Sequence, residues 1–175
     1  MTSKDFQEFL AKQSQNKQQD EQIDWDETRN KWIASAREFV AQVQLYLNEF
    51  PEIETQVREI DLTEDKLGTY KAPKLLIRLP KELIELEPIG TVLIGAHGRF
   101  DMKGLAGTVK WVLVPENTEK PTIKMTINGE DESSSAAEQV SEKLAWKLAT
   151  PAPNIRYLPF EKEILLEAIM EVSHG

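Results

Sequence analysis

The sequence predicts an α+β fold: an antiparallel meander sheet of about six or seven strands, covered on one face by a long helix from the N-terminal half and a C-terminal helix. Three observations predict it. Apolar residues recur every three or four positions over 26–50 and again over 160–172. Between these stretches, from residue 53 to about 127, the period changes to two. The breaks between the strand-like runs are too short for crossover helices, so neighbouring strands must run antiparallel.

The elements follow in order. Residues 1–22 form a polar tail ahead of a single domain over 23–175. Phe6, Phe9 and Leu10 are the tail's apolar grip and share one helical face, so a short helix is open to it. The "KQSQNKQQDEQ" that follows offers nothing to bury, and a flexible leader is expected. The sharper reading is that the trio docks on a partner or on the protein's own sheet. The first strong element is the helix at 26–50. Asp24, three residues before Glu27, has capping-box spacing, and acids crowd the first turn. Trp32, Ala36, Phe39, Val43, Tyr46 and Phe50 make its core stripe, widened by Ile33, Val40 and Leu47. Pro51 ends it.

Strand-like runs come next: "IETQVREIDL", "YKAPKLLIRL", "ELIELE", "TVLIGAHGRFDM", "TVKWVLV" and "TIKMTI", separated by Gly, Pro, Asn and acidic turns. An acidic, serine-rich linker or loop is expected over 128–142. Residues 136–149 fit two periods: Ala137, Val140, Leu144 and Leu148 suit a helix, whereas Leu144, Trp146 and Leu148 alternate as a strand would. A last strand at 143–149 is slightly favoured. The closing helix buries Ile164, Leu165, Ala168, Ile169 and Val172 and turns Glu161, Glu163, Glu167 and Glu171 outward.

The bulk numbers narrow the function classes. A chain of 175 residues with a formal net charge of −9 is repelled by nucleic acid and by anionic lipid unless its cations gather on one face. No apolar run approaches the roughly 18 residues of a membrane span, and the first residues lack the apolar core and cleavage site of a secretory signal. The chain has no cysteine, which excludes disulfides, thiolate zinc sites and a cysteine nucleophile and agrees with a reducing cytoplasm. A cytoplasmic protein with no membrane partner is expected.

Five of the eight glycines fall within 90–115. A phosphate loop would run from its glycines into a helix N-terminus; here they run into "TVKWVLV", which is strand. Gly95 and Gly98 are expected to bend or bulge a long strand, and Gly104 and Gly107 to bracket a tight turn. "GAHG" has the spacing of a KH loop but lacks the helices that motif needs on both sides.

Parity then defines a candidate site. Phe100 and Met102 fall on one side of their strand, and His97, Arg99, Asp101 and Lys103 on the other. With Lys110 and Lys124 from the next two strands, and Arg78 joining, they form a local basic concentration on one sheet face. It reads either as a solvated face that neutralises nearby acids or as a docking face for a macromolecule. No aromatic residue on that parity could stack a base, so another protein with an acidic surface fits better than nucleic acid. The alternative is enzymatic. Asp101 and Lys103 form half of the (D/E)xK motif of magnesium-dependent nucleases, with Glu85, Glu87 and Asp61 as candidates for the missing acid. His97 as a general base oriented by Asp101 would need a bulge, since four strand residues span about 13 Å. No GxSxG, HExxH or Walker pattern is present, and no cofactor or metal is expected.

The runs "EPIGTVLIGAHGRFDMKG" and "WKLATPAPNIRYLPF…LLEAIMEVSHG" resemble a family of uncharacterised bacterial cytoplasmic proteins of similar size, from Trp25 to the end of the chain and most weakly over the serine-rich linker. The resemblance implies a bacterial cytoplasmic source and carries no functional residues. The expected function is a non-enzymatic macromolecule-binding or adaptor protein that offers its polar sheet face or its N-terminal tail. An immunity- or antitoxin-like role, with the acidic surface neutralising a basic partner, is compatible with it.

Overall fold

The computed structural model describes residues 2–22, 24–91, 96–121 and 143–174. Helix α1 (Ser3–Gln22) precedes α2 (Trp25–Leu47). Seven strands follow: β1 (Glu54–Glu64), β2 (Gly68–Arg78), β3 (Leu83–Gly90), β4 (Gly98–Gly104), β5 (Gly107–Pro115), β6 (Leu144–Ala149) and β7 (Tyr157–Pro159). Helix α3 (Lys162–Val172) closes the chain. The strands form one antiparallel sheet in chain order, a meander as the short connections require. Gly95, the run expected as a strand at 122–127, which includes Lys124, and the linker at 128–142 lie outside the described residues.

Helix α2 starts where Asp24 accepts the Glu27 N–H at 3.0 Å, which satisfies one of the free amides of the first turn. Its stripe is the core seam: Trp32, Ala36, Phe39, Val40, Val43 and Leu47 are all buried. The helix ends three residues before the expected 50, and Phe50 lies beyond it under the Lys162 ammonium. Phe39 is 1% exposed and sits among the rings of Phe100, Trp111, Trp146 and Phe160, at 4.5–5.6 Å between centroids. Trp146 donates its indole N–H to the Ser35 carbonyl at 3.2 Å, which ties β6 to α2. Leu165, Ala168 and Val172 of α3 complete the same core from the C-terminal end.

Strand parity positions the site. Ile84 and Leu86 of β3, Phe100 and Met102 of β4, Val109 and Trp111 of β5, and Leu148 of β6 all enter the core beneath the helices. Their neighbours in sequence therefore emerge on the other, outer face. In β2 the inward parity changes across Pro73, from Tyr70 and Ala72 to Leu75 and Ile77.

Four expectations need correction or refinement. The strand expected over 91–102 is not continuous: Thr91 and His97 are bends, β4 begins only at Gly98, and the register shifts between Pro88 and Gly90. Gly98 follows the bend at His97 and has a second task. A Cβ there would fall on the Cε3 and Cζ3 atoms of Trp32, so the glycine admits the indole against the strand backbone. Gly104 and Gly107 do pair across a two-residue turn, as expected, but Gly104 also lies against the Val172 carbonyl, and Ala106 N–H donates to that oxygen at 2.8 Å. The leader is helical over Ser3–Gln22, with every side chain from Thr2 to Gln15 exposed. Residues 144–149 are the favoured strand, β6, and β7 has no counterpart among the expected strands.

Candidate functional site: the outer face of the sheet

Opposed residues of an antiparallel pair share a face, so the registers assemble the outer surface row by row. One row joins Glu87, Asp101 and Lys110 across β3, β4 and β5. A second joins Gln56, Leu76, Glu85, Lys103 and Thr108. A third joins Arg99, Val112 and Lys147. Arg58 stands across from Lys74, and Glu54 across from Arg78. Cations outnumber acids on this face although the chain as a whole carries −9.

The face has a closed half and an open half. In the closed half Val112 is 7% exposed, Val114 is fully buried, and Lys147 is buried. The Lys147 ammonium donates to the carbonyls of Glu116 and Thr118, each at 2.7 Å, so the chain leaving β5 folds back over it. Asp101 is 8% exposed and is gripped by Arg99 of its own strand, with Nε to Oδ1 at 2.7 Å and Nη2 to Oδ2 at 2.9 Å. That bidentate pair neutralises a charge that would be costly to bury alone. In the open half, Arg58, Arg78, Lys103, Thr108 and Lys110 are exposed on the same face as the buried Leu76. Lys103 donates to Glu87 at 2.7 Å, and Lys74 pairs with Glu85 at 3.5 Å. Arg58, Arg78 and Lys110 make no ion pair among the described residues.

The candidate residues are thus sorted by geometry. Arg78, Lys103 and Lys110 lie together in the open half. Arg99 shares the face but is spent on Asp101. His97 is exposed in the bend before β4, with its backbone N–H on the Leu113 carbonyl at 2.7 Å; both partners of Asp101 come from Arg99. The nuclease pair also meets its neighbouring-strand acid, since Glu87 stands across from Asp101 and Glu85 across from Lys103. Asp61 is elsewhere, on β1, paired with Lys71 at 3.0 Å. The charges, however, are mutually consumed. Both Asp101 oxygens accept from one guanidinium. The hydrogen bond from Lys103 to Glu87, reinforced by that carboxylate's charge, holds the lysine above its ordinary pKa, away from the neutral form a base needs. Among the described residues, no three His, Asp or Glu side chains converge as a cation site.

A second polar cluster has almost no sequence signature. Trp32 Nε1 donates to the Tyr70 hydroxyl at 2.9 Å, and that hydroxyl donates to Glu64 Oε2. Glu64 Oε1 accepts from the Thr91 amide at 2.7 Å and the Thr91 hydroxyl at 2.9 Å. Gly90 has φ +136°, and a Cβ on it would meet Glu64 Oε1 at 2.7 Å, so glycine lets the chain turn over the carboxylate. The one available signal is Gly-Thr at the end of a strand, which is far too common to read. The cluster clamps the end of the β1–β2 hairpin to the end of β3. Burial, and then the hydrogen bond and charge of Glu64, push the Tyr70 pKa above the tyrosine range, with Trp32 opposing. The folded protein keeps this proton where the unfolded chain has lost it. Stability is therefore full below about pH 10 and declines as pH rises beyond it. Urea midpoints measured from pH 8 to 11 are expected to show that decline, and Tyr70→Phe to lessen it; a remainder comes from Tyr157, which burial also raises.

No protein-family model matches the chain, and neither does any curated protein or any solved structure. No helix among the described residues is long and apolar enough to cross a membrane.

Proposed function

We propose that this protein is a non-enzymatic macromolecule-binding or adaptor protein whose partner is another protein, docked by an acidic surface on the open half of the outer sheet face. One observation carries the reading: in a chain of net charge −9, the exposed Arg58, Arg78 and Lys110 stand without ion-pair partners among the described residues, on the same sheet face as Lys103. Arginine is enriched in protein interfaces relative to the rest of the surface. An immunity- or antitoxin-like neutraliser of a basic partner would use the chain's acidic surface rather than this face. A bacterial cytoplasm is the compartment proposed with it, from the cysteine-free sequence and its family resemblance.

Geometry favours binding over the magnesium-dependent nuclease alternative, because Asp101 and Lys103 already neutralise Arg99 and Glu87. The test uses the full chain as bait in an extract of the source cell. One stoichiometric acidic partner is expected. Arg78→Glu with Lys110→Glu should weaken it by about ten- to a hundredfold, mostly by slowing association, and the loss should shrink at high salt. A partner held equally well by the charge-reversed chain would contradict the reading. So would a metal-dependent cleavage activity abolished by Asp101→Ala with Lys103→Ala.

A further inference from the structure

We infer that helix α1 is a recognition helix, which seats Phe6, Phe9 and Leu10 in a one-helix-wide apolar groove of a partner protein. The surface is separate from the sheet face and stands without it. Phe6, Phe9 and Leu10 are 51%, 53% and 44% exposed, and the two phenyl rings lie 6.2 Å apart and nearly parallel. They occupy i, i+3 and i+4, one continuous patch on the helix surface. That is the anchor spacing of helix-in-groove recognition, and large aromatic side chains dominate such interfaces.

The helix is held ready without packing. Thr2 donates its backbone N–H and its hydroxyl to Asp5 Oδ2 at 3.0 and 2.9 Å, and Asp5 N–H returns to the Thr2 hydroxyl at 3.4 Å. This reciprocal cap lies immediately before Phe6 and satisfies amides that an exposed helix otherwise leaves to water. The cap favours the helical geometry in which the anchors share one face and so lowers the ordering cost of association.

Area decides the occupant. Three side chains half exposed offer on the order of 300 Å². Two copies meeting anchor to anchor would bury about 600 Å², well short of the roughly 1,200 Å² of a stable interface. A groove that also covers the flanks of the helix reaches that size. The flanking Asp5 and Lys12 sum to no net charge, so the groove's rim needs no charge of its own. Binding through α1 is therefore insensitive to salt, unlike docking on the sheet face.

The test carries a benzoylphenylalanine photo-crosslinker in the full chain, at Phe9 or on the far side of the helix at the exposed Ala11, irradiated in the source cell. A single protein adduct is expected from position 9 and none from position 11. With that protein purified, Phe6→Ala and Phe9→Ala should each weaken binding at least tenfold, and Asp5→Ala a few-fold through lost capping. A tenfold rise in salt or Lys110→Glu should change it less than twofold. Adducts formed equally at both positions, no adduct at position 9, or binding indifferent to both phenylalanines would overturn the proposal. So would a dimer seen by sedimentation that Phe6→Ala dissolves, or cosedimentation with phosphatidylglycerol vesicles that needs Phe9.

Discussion

Replacing Gly98 with alanine is expected to cost about 3 kcal/mol of stability, large for a single methyl group. The added Cβ would coincide with the Trp32 ring. That ring cannot withdraw cheaply: its N–H is bonded to Tyr70, and the tilted rings of Phe100 and Trp146 pack beside it with centroids at 5.8 and 6.0 Å. Relief requires Trp32 to leave the core or β4 to leave the sheet. Gly107 is the internal control, because the methyl that alanine adds there would meet no atom within 4 Å and φ is not positive. Gly107→Ala is expected to stay within about 0.5 kcal/mol of the parent. Chemical denaturation of the two variants side by side checks both. Equal midpoints would mean that the glycines serve chain flexibility rather than close approach.

Phe39→Ala is expected to be the more damaging core substitution, at about 3–5 kcal/mol. The phenyl ring is the hub at which α2 meets β4, β5, β6 and the chain leading into α3. Its removal leaves a cavity walled by Phe100, Trp111, Trp146 and Phe160, all held by other neighbours and unable to collapse into it. Phe39→Leu refills most of the volume and should recover much of the loss, whereas Leu45→Ala, on the exposed side of the same helix, should be near neutral. Loss of near-ultraviolet signal from Trp111 and Trp146 before global unfolding would locate the damage.

What is legible in the sequence is whatever follows from a single period. The stripe of α2 from Trp32 to Leu47, the alternation of β4 and β5, and the two-residue turn between Gly104 and Gly107 are local patterns, and each holds. The outward parity of Arg99, Asp101 and Lys103 holds for the same reason. Side-chain pairing is not legible, because it depends on register between strands. Nothing local announces that Arg99 turns along its own strand to Asp101, or that Lys103 reaches diagonally to Glu87. Lys147 gives no sign of being a buried cation because its acceptors are the backbone carbonyls of Glu116 and Thr118, far away along the chain. A glycine that admits an indole, as Gly98 does, looks in sequence like one that bends a strand. Strand β7 is three residues long, below any periodic signal.

The chain's lack of cysteine permits the most direct test of the open outer face as a docking surface. Single cysteines at Gln56 and Thr108, both exposed on that face, and at Leu45 on the far side of α2, would be labelled with a thiol reagent before and after addition of the copurified acidic partner. Slowed labelling at 56 and 108 with an unchanged rate at 45 is the predicted result. Protection at 45, with 56 and 108 reacting as in the free protein, would contradict it.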